Sequence, residues 1–238
     1  MLTRDALAEL DDLIGILPDP NDPSWNAPTR CAGWNVRDLV AHVVAVAWQQ
    51  AEAFHRSTLR SLNQPSYLES SLPAPELAEG LISARRHLAT VLATTDLDPA
   101  EVVPLPWAPM PYDMARSALV LEYGAHRNDL LHALGRPTSL PPRVCAAVFP
   151  NLAAVLSAGS RDVDLADAPT VAFSSPSVSI TIAGGARGWT ATDAAPTVRC
   201  STDDSTLTLF ALGRIRDQAD LAAISDSPDS LRRWFGGL

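Results

Sequence analysis

Two stretches of this 238-residue chain set ionisable side chains inside otherwise apolar helical patterns. In ALVLEYGAHRNDLLHALG, Glu122 and His126 lie four residues apart, which on an α-helix turns one from the other by only about 40°. Asp129, seven residues after Glu122, returns to within about 20° of it, and the same face carries Ala115, Ala118, Leu119, Ala125 and Ala133. A carboxylate and an imidazole thus occupy a stripe of small apolar residues, where either group buried without a partner is costly. In CAGWNVRDLVAHVVAVAW, His42 falls in the second turn of a helix, on a face shared with Leu39, Ala45 and Val46. Two imidazoles and one carboxylate converging in a bundle core would form a three-ligand site for a borderline divalent ion such as zinc, with a fourth position open. A hydrogen-bonded core histidine beside an ordinary i,i+4 ion pair is the competing reading of the same residues.

The remaining candidates read as structural. His132 is turned by about 240° from His126 and away from Glu122, while His55 and His87 sit among polar residues. Asp38, three after Asn35, completes a capping box. Trp25 and Trp34 read as loop anchors, and Cys31 as an inert packing thiol.

Positioning these groups takes a bundle. The first half shows four segments with apolar residues at three- and four-residue spacing, each bounded by Pro, Gly, Asn or Ser. The first is TRDALAELDDLIGIL, stopped by Pro18 and Pro20; the second follows Asn35 and runs to about Arg60. The third starts after Pro73 with Leu77, Leu81, Ala84, Leu88 and Val91 as its buried stripe. The fourth runs from about Asp113 to Leu134, with Gly135 at the C-cap and Pro137 barring continuation. Beyond GRPTSLPPR the pattern changes. A helix interrupted at Pro150 precedes four alternating segments, TVAFSS, VSITIAG, GWTAT and TVRCS, read as antiparallel strands, and the tail returns to helix in DDSTLTLFALGR and SPDSLRRWF. The expected fold class is α+β, with a four-helix bundle over 1–138 and a small α+β domain over 139–238.

Composition narrows the chemistry. A net charge of −9 without a basic stripe argues against nucleic acid as a partner. All 18 basic residues are arginine, which excludes Schiff-base lysines and a P-loop lysine. Cys31, Cys145 and Cys200 are widely spaced and odd in number, against both a disulfide framework and a cysteine-built zinc site. No apolar run is expected to reach the roughly 18 residues of a membrane span, and the acidic, amphipathic start is unlike a signal peptide; the expectation is a cytoplasmic protein that binds no membrane.

The run WNAPTRCAGWNVRDLVAHV, followed by LEYGAHRNDLLHALGRP, resembles the mycothiol-dependent maleylpyruvate isomerase family, and GWTAT and LTLFALGR resemble that family's C-terminal domain. The resemblance implies a DinB-like four-helix bundle followed by a sterol-carrier-like α+β domain. It implies that His42, Glu122 and His126 are zinc ligands and that the open position takes the thiol of mycothiol. It sets Arg214 toward the cleft between the domains, to hold a carboxylate of substrate or cofactor, and Asp129 toward the cofactor. The family commonly has tryptophan before that aspartate; here the residue is Asn128. Partners would be a small electrophile and a low-molecular-weight thiol, in a monomer or small homo-oligomer. Two chemistries fit, cis–trans isomerisation by reversible thiol addition and S-transfer. A non-catalytic, metal-stabilised binding protein is the alternative from another class, although a structural zinc normally has a fourth protein ligand and no obvious one lies on the right faces.

Overall fold

The computed structural model describes residues 1–56, 71–105, 109–160 and 163–235. The chain divides into two compact units, Met1–Ser139 and Leu140–Leu238.

In the first unit, α1 (Leu2–Ile14) packs chiefly on α4 (Tyr112–Ala133), and α2 (Val36–Arg56) on α3 (Ala74–Thr94). The caps explain the boundaries. At the start of α2 the Asn35 amide donates to Asp38 Oδ2 (2.9 Å) and the Asp38 amide to Asn35 Oδ1 (3.0 Å), the reciprocal box expected from the sequence. At the end of α4, Gly135 takes φ +64°, and Arg136 N–H reaches Leu131 O (2.9 Å), which closes a Schellman motif. The stripe expected on α3 is buried throughout. Residues 57–60, where the sequence pattern carries the second helix on toward Arg60, lie outside the described residues. An unanticipated antiparallel pair, β1 (Val102–Pro104) and β2 (Pro109–Pro111), precedes α4; three residues with two prolines give no alternation to read.

The second unit opens with α5 (Pro142–Val148) and α6 (Leu152–Gly159), separated by a 3-10 turn at Phe149–Asn151, so the break at Pro150 is where proline chemistry puts it. Pro142–Gly159 meets the length and apolarity of a membrane span, with mean hydropathy 1.2, against the expectation that no run does. It is nevertheless divided in the middle, and Val144, Val148, Leu152 and Leu156 are buried in the fold.

Strands β3 (Val171–Ser174), β4 (Ser179–Gly185), β5 (Gly188–Ala191) and β6 (Val198–Ser201) form one sheet in the order β5-β4-β3-β6. The β3–β4 and β4–β5 pairs are antiparallel, but β6 runs parallel to β3, which corrects the all-antiparallel reading. Alternation reports which face of a strand is buried and not the direction of its neighbour. In β6 Val198 and Cys200 point inward whichever way the strand runs. Helices α7 (Asp204–Ala211), α8 (Gln218–Ile224) and α9 (Pro228–Phe235) complete the unit. Its core is aromatic, with Phe173 against Phe210 and Phe235 and Trp189 stacked on Phe235 at 4.5 Å between centroids.

Candidate metal centre

Three elements of the first unit build the site: α2, α4 and the loop before α2. Helical spacing brings Glu122 and His126 to one face of α4, and the packing of α2 against it delivers His42. His42 Nε2 lies 3.0 Å and His126 Nε2 3.2 Å from the same oxygen, Glu122 Oε1. The two imidazole rings meet edge-on, 4.9 Å apart. One ligand atom from each of the three residues lies within 4.8 Å of the others. Donors each about 2.0–2.2 Å from a tetrahedral ion stand roughly 3.3 Å from one another, so the two imidazole-to-carboxylate separations match what a zinc-class ion requires. The nitrogen, nitrogen and oxygen donor set fits the same class.

Behind His126 stands a second layer. Its Nδ1 is 3.3 Å from Asp129 Oδ2, and the Asp129 side chain is fully buried. The Cys31 thiol donates to the same oxygen at 3.4 Å, so Cys31, His126 and Asp129 form a second cluster of ligand-type groups sharing the imidazole. A carboxylate at Nδ1 favours the proton on that nitrogen and leaves Nε2 to face Glu122. Asp129 is thus placed against the back of a candidate ligand.

Glu122 and His126 shift one another. Burial pushes the Glu122 carboxyl up, but the charge of and hydrogen bond to His126, with those of His42, outweigh it and hold the group well below the usual carboxylate range. Burial pulls the His126 imidazole down, yet the Glu122 charge, with Asp129 and Cys31 close beside the ring, carries it well above its ordinary value.

The loop is more involved than the sequence suggests. Trp25 is the anchor expected, buried with Nε1–H donating to Asp19 O at 3.0 Å. Trp34 is not merely an anchor: its ring lies 4.7 Å from that of His42 and 6.3 Å from that of His126, forming a wall of the site. Cys31 likewise reaches the cluster instead of standing apart as an inert packing thiol. Thr29 sets both, because its amide and hydroxyl donate to Trp34 O (2.9 and 3.0 Å) while its hydroxyl accepts from the Cys31 amide (3.2 Å). Arg30 fastens the loop to α4 through Asn128 Oδ1 at 3.0 Å. The closing turn requires Gly33 at φ +79°, and that glycine was the one local signal of a built loop.

The other ionisable candidates are placed elsewhere. His132 and His55 are exposed, and His87 stacks on Trp48 with centroids 4.5 Å apart. Cys145 and Cys200 are buried; burial pushes the Cys200 thiol up to about 12. Arg214 belongs to the second unit, directly after Gly213 (φ +67°) at the end of α7, where its Nη1 donates to Leu212 O at 2.7 Å.

A family profile described as the mycothiol maleylpyruvate isomerase N-terminal domain matches residues 3–131. The fold is similar to the crystal structure of the mycothiol-dependent maleylpyruvate isomerase, with a TM-score of 0.66 at 16% identity over 91% of this chain and 88% of that one. A histidine-to-alanine mutant of that isomerase gives a TM-score of 0.65 at 14% identity, covering 90% of this chain and 87% of the other. A search of curated protein sequences finds no match. With a four-helix unit that the profile spans almost end to end, and an α+β fold shared with both crystal structures, the chain belongs to the mycothiol-dependent maleylpyruvate isomerase family.

Proposed function

We propose that this protein is a zinc-dependent enzyme that uses mycothiol to isomerise maleylpyruvate or a closely related cis-unsaturated acid. The observation carrying this reading is the convergence of His42 Nε2, His126 Nε2 and Glu122 Oε1 in the unit matched by the family profile. A dication of the zinc class, when bound, supplies the Lewis acidity that turns a thiol into a thiolate near neutral pH. This chain's residues hold that ion with one negative charge and two neutral imidazoles. Asp129 keeps the His126 ring oriented from behind, and Trp34 limits water on one side. Arg214 offers a planar, bidentate donor for a carboxylate. Among the described residues no fourth side chain joins the His42, Glu122 and His126 group, which favours an open position over a closed structural site.

The test is metal analysis followed by assay with maleylpyruvate and mycothiol. About one zinc-class ion per chain, and activity that needs thiol without consuming it, is the expected result. Stoichiometric consumption of thiol would assign S-transfer instead. Absence of bound metal in a protein refolded with excess zinc would reject the site.

A further inference from the structure

Cys31, His126 and Asp129 bring together three kinds of metal donor, a thiol, an imidazole nitrogen and a carboxylate oxygen, with one ligand atom of each lying within 4.8 Å of the others. Asp129 Oδ2 is the hub, 3.4 Å from Cys31 Sγ and 3.3 Å from His126 Nδ1. Asp129 is fully buried and His126 is 7% exposed. Among the described residues His126 Nδ1 is enclosed and makes no hydrogen bond, the Asp129 oxygen lying close to it without hydrogen-bond geometry. A buried ring nitrogen thus faces a carboxylate and a thiol with its own bonding capacity unused. Cys145 and Cys200 show the contrast, since both are buried and among the described residues neither joins a group of three such donors.

The separations suit one ion. Donors held about 2.0–2.3 Å from a tetrahedral centre stand roughly 3.3–3.6 Å from one another, as the sulfur-to-oxygen and nitrogen-to-oxygen edges here do. The ring nitrogen used is Nδ1, not the Nε2 that lies 3.2 Å from Glu122 Oε1, so this position is distinct from the His42, Glu122 and His126 group. A thiolate and a carboxylate together carry two negative charges, which a dication neutralises in a buried site. Cys31 is half-buried and the next two residues, Ala32 and Gly33, are exposed, which gives an ion a way in from solvent.

We propose that Cys31 Sγ, Asp129 Oδ2 and His126 Nδ1 form a second metal site, which takes a thiophilic dication of the zinc and cadmium class. The sulfur sets its preference, because thiolate favours softer ions than the nitrogen and oxygen donors of the first group do. On binding, the thiol proton leaves to solvent, and Nδ1 presents its lone pair while Nε2 holds the ring proton toward Glu122. In its neutral form the ring therefore serves one ion at a time, at Nε2 or at Nδ1, according to which nitrogen carries the proton.

The experiment titrates the metal-free, full-length wild type, Cys31→Ser and Asp129→Asn with cadmium chloride and follows the ultraviolet sulfur-to-cadmium charge-transfer absorption. Serine keeps the size of Cys31 and a hydroxyl that can donate to Asp129; asparagine keeps the shape of Asp129 and removes its charge. In the wild type the band should rise to a plateau at about one cadmium per chain, and in Cys31→Ser it should be absent although Cys145 and Cys200 remain. Asp129→Asn should weaken binding by about tenfold or more. No band in the wild type, or a band of wild-type strength in Cys31→Ser, overturns the site. Wild-type affinity in Asp129→Asn does the same, since the thiol would then hold the ion without the carboxylate. Should Asp129→Asn fail to fold, nitrogen NMR of the cadmium-bound wild type decides: scalar coupling of cadmium to His126 Nδ1 supports the site, and coupling to Nε2 alone or to neither nitrogen overturns it. None of these readouts involves turnover, so the site stands or falls apart from the function proposed above.

Discussion

The two units of this protein spend buried polarity in opposite ways. Among the described residues, the polar side chains enclosed by packing in the first unit are Glu9, Gln49, Gln50, His126, Asn128 and Asp129, and in the second Ser160 and Thr208. Both hydroxyls are fully used, Ser160 donating to Trp234 O and accepting from Trp189 Nε1–H, and Thr208 donating to Asp204 O. The first unit is less complete: among the described residues Gln50 Nε2 and Asn128 Nδ2 are enclosed without a hydrogen-bond partner. Every histidine in the chain is also in the first unit. Buried charge is weak evidence for stability, since the desolvation cost rivals the attraction gained. The difference therefore says that the bundle gives up stability where chemistry needs charge, while the α+β unit is built as an ordinary apolar core.

The most direct way to break this contrast is to empty the polar core. His126→Ala removes an imidazole at the meeting point of Glu122, His42 and Asp129, and metal binding should be lost while far-UV circular dichroism keeps its helical signal. Full retention of metal would show that the cluster is an ion-pair network and nothing more. The matching experiment in the other unit is Phe173→Ala, which deletes a fully buried ring packed on Phe210 and Phe235. It should cost about 3–5 kcal/mol in denaturant unfolding and leave the metal content of the folded protein unchanged.

The same contrast explains what could be read in advance. The helices of the bundle announce themselves because apolar residues recur at their period and caps such as Asn35–Asp38 are local. The Glu122–His126 spacing is local too, so one face of the site was legible. Trp34 and Cys31 were not. They reach the site through a loop whose path depends on Thr29 hydrogen bonds and on Gly33, and no periodicity describes such a path. The direction of β6 escaped for a related reason, since pairing with β3 is settled by the route of the intervening strands and not by the four residues Val198–Ser201.

A finer test asks whether the second unit contributes chemistry at all. Arg214→Lys keeps the positive charge but loses the planar fork. With a role in gripping a carboxylate, turnover should fall on the order of tenfold or more while zinc content and melting temperature stay at wild-type values. Unchanged turnover would confine the chemistry to the bundle and make the division of labour complete.

The smallest expected effect concerns acid. At the start of α7, Asp203 accepts the Thr206 amide (3.0 Å) and hydroxyl (2.6 Å), and the neighbouring Asp204 accepts the Ser175 hydroxyl (2.5 Å) and the Ser177 amide and hydroxyl (3.1 and 2.6 Å). The hydrogen bonds from Thr206 hold the Asp203 carboxyl below its ordinary value, and those from Ser175 and Ser177 do the same for Asp204. A carboxyl depressed by folding binds its proton less readily in the folded state than in the unfolded one. Its stabilisation is therefore fully present above the unfolded value of about 4 and disappears as pH falls through the lower folded value. Asp203→Ala should cost about 1 kcal/mol at neutral pH, the usual worth of an N-cap, and should flatten the loss of stability below pH ~4 by one carboxylate. Asp203→Asn separates the two effects. Its side-chain oxygen can still accept the Thr206 amide, so stability at neutral pH should stay within a few tenths of a kcal/mol of wild type, while the acid slope flattens as in the alanine variant. An unchanged acid slope in both variants would place the acid sensitivity in the charged core of the bundle instead, and the α+β unit would be electrostatically silent.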